Sequence, residues 1–268
     1  MNPTLAAVPG EASRWRRGAR SVALPLVLLL LWQAWASTLP ADSPAPAPLR
    51  VARAAVELVA TGNLLQATAQ SLGRVALGFA GALVVGVVLG LLMGSSRAVR
   101  ENLDPIIESF RPIAPMALLP VAILWFGTGT PTALAIVGYA AFFPVVVNTV
   151  YGVSRVDRKL VLASLTMGVP RPTILLRVIL PGAAPSILLG ARLAMGVAWT
   201  AIIAAELAVG AKSGGGGSGG IGQMMFVFYA YNIDLNAIVV CMVMVGVVAL
   251  LIDRVFRAAE ARLLRWRT

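Results

Sequence analysis

The sequence contains no histidine and a single cysteine, Cys241. Without imidazole the chain lacks the side chain that most often acts as general base and as metal ligand. A lone cysteine inside an apolar run forms neither a disulfide framework nor a thiolate metal site. Acids are scarce as well: Asp and Glu together number 11 among 268 residues, and charged residues of both signs make up 12%. A soluble domain carries about a quarter charged residues. These deficits exclude an ordinary soluble fold. They also speak against an enzyme buried in a membrane, because the apolar runs contain no paired carboxylates.

What is present is apolar length. The chain is 59% hydrophobic with mean hydropathy +0.85. A bilayer core of roughly 30 Å requires about 20 residues per helix. Runs near 21–38, 75–93, 112–126, 132–150, 183–205 and 236–251 meet or approach that requirement. The fold class expected is therefore all-α and membrane-integral: six spans in one domain, 21–268, behind a basic tail, 1–20. A β-barrel would show short alternating segments instead. The first run, with arginines before it and Ala34-Trp35-Ala36 at its end, also has the outline of a cleavable signal peptide; as a first span it accounts for more of the pattern. A Pro-rich linker follows, and Val51–Arg74 has the spacing of a helix lying along the outer face.

The net charge of +11 does not require nucleic acid as a partner. Of the 22 Lys and Arg, only Arg50, Arg53 and Lys212 fall in the loops of one side, and Arg74 and Arg192 lie within spans. All the others gather on the opposite side, which the positive-inside rule makes cytoplasmic. Both termini are expected inside.

Several features have both structural and functional readings. Gly78, Ala82, Gly86, Gly90 and Gly94 form a small-residue stripe suited to close helix approach. Pro115 and Pro120 interrupt the third run, and kinked helices in transporters line pathways as often as they merely bend. Pro144 and Asn148 mark the fourth run. Charges at membrane depth are functional candidates: Arg74 can snorkel to the headgroups, whereas Arg192 can face an anionic solute, pair with Glu206 or cap helix carbonyls. The stretch "GAKSGGGGSGG" fails as a phosphate-binding loop because Ala211 precedes Lys212. It reads as a flexible external loop.

The segment 151–181 stands apart. Asp157 can cap a helix "RKLVLASLTM" that Gly168 ends, its missing Cβ permitting a left-handed backbone. Pro170 resists helix, Pro172 can open a second one, and that one is expected to stop at Pro181. The short helix is more apolar than a solvent loop needs.

This segment resembles the cytoplasmic coupling loop of ABC importer permeases, whose pattern is Glu-Ala-Ala-x-x-x-Gly, nine residues, then Ile-x-Leu-Pro. Ala163 and Ser164 occupy the two alanine positions, and Gly168 falls at the required spacing. Val178, Leu180 and Pro181 replace the terminal motif, while Leu162 stands where the family has glutamate. "SLGRVALGFAGALVVGVVLGLLMG", "LDPIIESFRPIAP" and "GARLAMGVAWTAIIAAEL" extend the similarity to permeases for nitrate, sulfonates, taurine and bicarbonate. The resemblance implies a type I importer fold and a homodimer in a bacterial inner membrane. It implies a cytoplasmic ATPase dimer coupled through Leu162, Ala163, Ser164, Gly168, Pro170, Val178, Leu180 and Pro181, and an external substrate-binding protein. ATP and Mg would be held by the ATPase, and this chain would hold no cofactor. Pro120, Asn148, Arg192 and Glu206 are candidate pathway residues. A thiamine-pyrimidine precursor or an aromatic acid is an alternative cargo within that class. An ATP-independent transporter or channel is the alternative outside it.

Overall fold

The computed structural model describes residues 11–38, 40, 45–212 and 219–264, with side chains from residue 23 onward and that of Lys212 excepted. Residues 213–218, which hold most of the glycine-rich loop, lie outside the described residues, as does the basic tail through residue 10.

The described chain is helical. Its elements are α1 (Glu11–Ser37), α2 (Pro48–Ala60), α3 (Asn63–Ser95), α4 (Arg97–Phe110), α5 (Leu119–Phe126), α6 (Thr130–Ser154), α7 (Arg158–Thr166), α8 (Arg171–Ile174), α9 (Leu180–Lys212), α10 (Ile221–Val227) and α11 (Leu235–Leu263). Four helical stretches are long and apolar enough to cross a membrane: α3, α6, the run from Arg171 to Ala211, and α11. Large apolar side chains stay exposed along them, among them Leu77, Val84, Val88, Met242, Val247 and Leu250. Such a surface suits lipid.

The small-residue stripe builds the core. A Cβ placed on Gly78 would lie 2.7 Å from Val137 Cγ1, on Gly86 2.8 Å from Val145 Cγ1, on Gly90 2.5 Å from Thr149 Cβ, and on Gly94 2.5 Å from Val153 Cβ. The partner advances along α6 in step with the glycine along α3, so the two helices run parallel. Lipid supplies no hydrophobic drive for pairing, and backbones brought this close gain dispersion instead. Next to them α9 runs antiparallel to α6, with Gly190 against Asn148 and Gly152 against Ser186. Val75, Val137, Val145, Trp199 and Ile202 fill the centre, and the Trp199 indole donates to Val245 O of α11 at 3.1 Å.

Parallel α3 and α6 require the chain between them to cross back over the whole bundle. It does so in two pieces. Helix α4 and the stretch Pro115–Phe126 meet at 85°, and the second piece is a short 3-10 turn, Pro115–Leu118, followed by α5. The expected third span, 112–126, is thus a broken one. Arg111 keeps α conformation with its N–H on Ile107 O, but Pro112 and Pro115 have no N–H for the next i→i−4 bonds, so α4 stops and the chain turns. The Tyr139 hydroxyl holds the turn at Phe110 O (2.6 Å) and Ile113 O (3.3 Å).

Two other expectations are corrected. The outer-face helix ends at Ala60, and Asn63–Arg74 belongs to α3, because Gly62 at φ 74 breaks the two apart. The second helix of the 151–181 segment does not stop at Pro181. The turn before it widens to a π-turn, Leu175–Ile179, with Leu180 N–H bonded to Leu175 O. That extra residue makes room where the proline has no N–H to give, and the helix continues into α9. Among the described residues, the four stretches named and the broken pair are long and apolar enough to cross. In α1 the described apolar part is Ala23–Ser37, shorter than a full crossing. It stays at the periphery, where Trp32 Nε1 donates to Pro46 O.

Candidate functional site: a mounted surface helix and the buried charges

Helix α7 projects from the end of the bundle where α6 stops and the α8–α9 run begins. Its nine residues make a rod of about 14 Å. Asp157 caps it, Oδ1 accepting from Lys159 N at 2.8 Å. At the other end Gly168 adopts φ 74. Gly168 N–H bonds to Leu165 O and Val169 N–H to Ser164 O, the paired closure of a Schellman motif. Both ends are therefore fixed by sequence-local chemistry, as the sequence led us to expect.

The face of α7 is apolar and uncovered. Leu160, Leu162 and Leu165 are about half exposed, and Met167 is 81% exposed. Ala163 is exposed, Ser164 half-buried with its hydroxyl on Leu160 O at 2.8 Å, and Pro170 exposed. Leu162, in the position of the family's acid, joins this apolar face. Val178 and Leu180 are half-buried on the mount, and Pro181 is exposed. A groove lined by Val161, Leu165, Pro172, Ile174, Leu175 and Ile179 runs beside the rod.

The candidate pathway residues do not form one site. Arg192 and Glu206 lie 14 positions apart on one helix, about 21 Å. Glu206 is 3% exposed and pairs with Arg74, 7% exposed, at 2.6 Å. Its carboxylate also accepts from Ser71 Oγ (2.7 Å) and Gly222 N (3.1 Å), and Arg74 donates to Gly219 O at 2.8 Å. Arg74 does not snorkel: it turns inward and ties α3 to α9 and to the start of α10. The last glycines of the loop are what allow this. A Cβ on Gly220 would lie 2.3 Å from Glu206 Oε1, and one on Gly222 2.4 Å from Ile203 O. Arg192 pairs instead with Asp253 of α11 at 2.6 Å. Pro120 is exposed at the start of α5.

Asn148 lines a cavity of about 400 Å³ between α6, α9 and the α4–α5 bend. Its Nδ2 donates to Pro144 O at 2.8 Å, covering a carbonyl at the proline. Sequence reasoning missed Ser71, Tyr139 and Asp253. Only Ser71 left a trace, three residues before Arg74 on an otherwise uncharged face.

A bundle of long apolar helices with a broken span and a short apolar helix mounted outside it is the architecture of a membrane permease. The chain belongs to the binding-protein-dependent transport system inner membrane component family, whose model matches residues 82–265. It is 35% identical over 264 residues to the taurine transport system permease protein TauC of Escherichia coli, covering 94% of this chain and 92% of that one. To the nitrate import permease protein NrtB of Synechocystis it is 33% identical over 246 residues, with 88% and 85% covered. The fold matches an inward-facing structure of the MetNI methionine ABC transporter at TM-score 0.64 and 19% identity, covering 76% of this chain and 97% of that one.

Proposed function

We propose that this chain is the membrane-spanning half of an ATP-driven importer for a small anion, working as a homodimer with both termini in the cytoplasm. An external binding protein delivers the solute, and a separate ATPase dimer, which alone holds ATP and Mg, docks on α7. Leu162, Ala163, Ser164, Gly168 and Pro170 form the docking surface; Val178, Leu180 and Pro181 belong to the mount. The observation that carries this reading is the uncovered apolar face of α7, capped at both ends and joined through a π-turn to the unbroken helix α9. A push on α7 cannot be absorbed by a hinge at Pro181, so it is passed to α9 and to the helices packed on it. Relatives that carry taurine and nitrate in their names favour an anion as cargo.

The experiment is recovery of the ATPase on the immobilised permease. Leu162→Asp places a charge in the apolar face and is expected to lower recovery at least tenfold. Gly168→Val should act in the same direction: its φ of 74 strains a β-branched residue by about 1–2 kcal/mol, tilting α7 on its mount. Insertion should be unchanged for both variants and thermal stability unchanged for Leu162→Asp, because α7 contributes nothing to the buried core; Gly168→Val should lose no more stability than that strain. Normal recovery with both variants would move the docking site elsewhere. Solute movement by vesicles holding this chain alone would replace the reading with an ATP-independent transporter.

A further inference from the structure

Two cavities meet at one arginine. The first, about 400 Å³, is lined by Arg111, Tyr139, Phe143, Asn148, Leu193 and Val197. The second, about 310 Å³, leads toward the α7 end past Arg100, Asp104, Glu108, Val150, Tyr151 and Ser154. Arg111 and Val147 line both. Among the described residues no carboxylate comes within ion-pair distance of Arg111, whereas Arg97, Arg100, Arg192 and Arg257 each have one.

The depth of this residue gives it meaning. Tyr139, near the middle of α6, bonds to the carbonyls of Phe110 and Ile113, so Arg111 is held between two fixed points at mid-helix level. Arg111 itself is still in α conformation, with its N–H on Ile107 O, and it is exposed; the irregular backbone begins at Pro112. A guanidinium without a countercharge at such a level is tolerated only against water or a ligand. The remaining walls, including Ile113, Pro115, Phe143 and Leu193, are apolar. Asn148 spends one N–H on Pro144 O and keeps a second for a ligand.

We propose that the Arg111 cavity is the station that holds the transported solute midway, and that its chemistry selects a small organic oxyanion with a short apolar body. Arg111 takes the anionic head, Asn148 one further oxygen, and the apolar walls the tail. Glu108, in the second cavity, repels the anion once it has passed Arg111 and so favours release toward the α7 end. This rests on the importer reading above, but its test involves no ATPase.

The reporter is Val147→Cys in a Cys241→Ala background, reconstituted as the full chain and labelled by neutral methyl methanethiosulfonate. Ethanesulfonate is the probe, and ethyl methyl sulfone its uncharged counterpart. Ethanesulfonate is expected to slow labelling at least fivefold with saturation, and the sulfone to have no effect. Arg111→Gln should abolish the protection and Arg111→Lys retain most of it, which separates lost charge from lost fold. Protection that survives Arg111→Gln, that the sulfone matches, or that is absent from the parent would overturn the proposal. Each of those results leaves ATPase docking on α7 untouched, and a failure of docking leaves the labelling result standing.

Discussion

Gly90→Val is expected to separate α3 from α6 and to cost at least about 3 kcal/mol, the upper end of overpacking penalties. A Cβ at this position would lie 2.5 Å from Thr149 Cβ and 3.1 Å from Val146 O. Neither atom is the loose end of a side chain. Relief requires the helices to move apart, which also opens the contacts at Gly86 and Gly94. Gly81 is the matched control: it lies on the same helix with nothing within 4 Å of its Cβ position. Gly81→Ala should be neutral or stabilising by up to about 1 kcal/mol, since alanine is the better helix former. Cys241, fully buried and the sequence's single cysteine, reports unfolding when a thiol-reactive dye is present during heating. The expected fall for Gly90→Val is on the order of 10 °C, at roughly 2–4 °C per kcal/mol for a chain of this size. Equal midpoints for Gly90→Val and Gly81→Ala would mean that the stripe is not the packing surface.

The stripe shows why part of this fold is legible in the sequence. Small residues every fourth position state a distance of approach, and a distance of approach names a partner surface, though not which helix supplies it. Helix α7 is legible for a similar reason. Its cap at Asp157 and its end at Gly168 are local chemistry within ten or so residues, and they form as the spacing predicts. Pro181 misleads because its effect depends on what the preceding turn can do. Proline ends a helix that keeps its i→i−4 bonds, and a π-turn at Leu175–Ile179 releases it from that rule. The third run misleads in the opposite sense. Its apolar residues read as one short, interrupted span, and only the bend around Arg111–Ala114, with Tyr139 holding its carbonyls, reveals two pieces meeting at 85°.

The charges were the least legible part, since pairing between distant helices leaves no spacing to read. Arg74 and Glu206 are 132 positions apart, and Arg192 and Asp253 are 61 apart. Hydropathy marks each charge as costly and says nothing of who compensates it. The same limit hid Arg111. In the sequence it closes a charged helix at the membrane surface; in the structure it lies beside the middle of α6 with a cavity on either side.

Arg74→Met should be the most damaging of the single substitutions that remove charge. It leaves the Glu206 carboxylate, 3% exposed, without its countercharge. Breaking one side of a buried pair costs about 3–5 kcal/mol, because the stranded charge keeps its desolvation penalty. Glu206→Gln should cost less. The amide keeps an acceptor for Ser71 or Gly222, and Arg74 keeps the Gly219 carbonyl, 2.8 Å away. The double variant, Arg74→Met with Glu206→Leu, removes both charges and should recover part of the loss. A stability above that of Arg74→Met alone is the signature of a paired, desolvated charge. With Glu206→Leu alone as the fourth corner, beside wild type, Arg74→Met and the double variant, the Cys241 dye assay closes the double-mutant cycle. A loss under 1 kcal/mol for Arg74→Met would mean that water or lipid headgroups reach the pair. The loop glycines extend the same argument: Gly220→Ala would drive a Cβ into the Glu206 carboxyl group. Displacing that group uncouples the start of α10 from α3 and α9, so Gly220→Ala should lower the midpoint more in wild type than once Glu206 is leucine, where only the strain of an alanine at φ 112 remains.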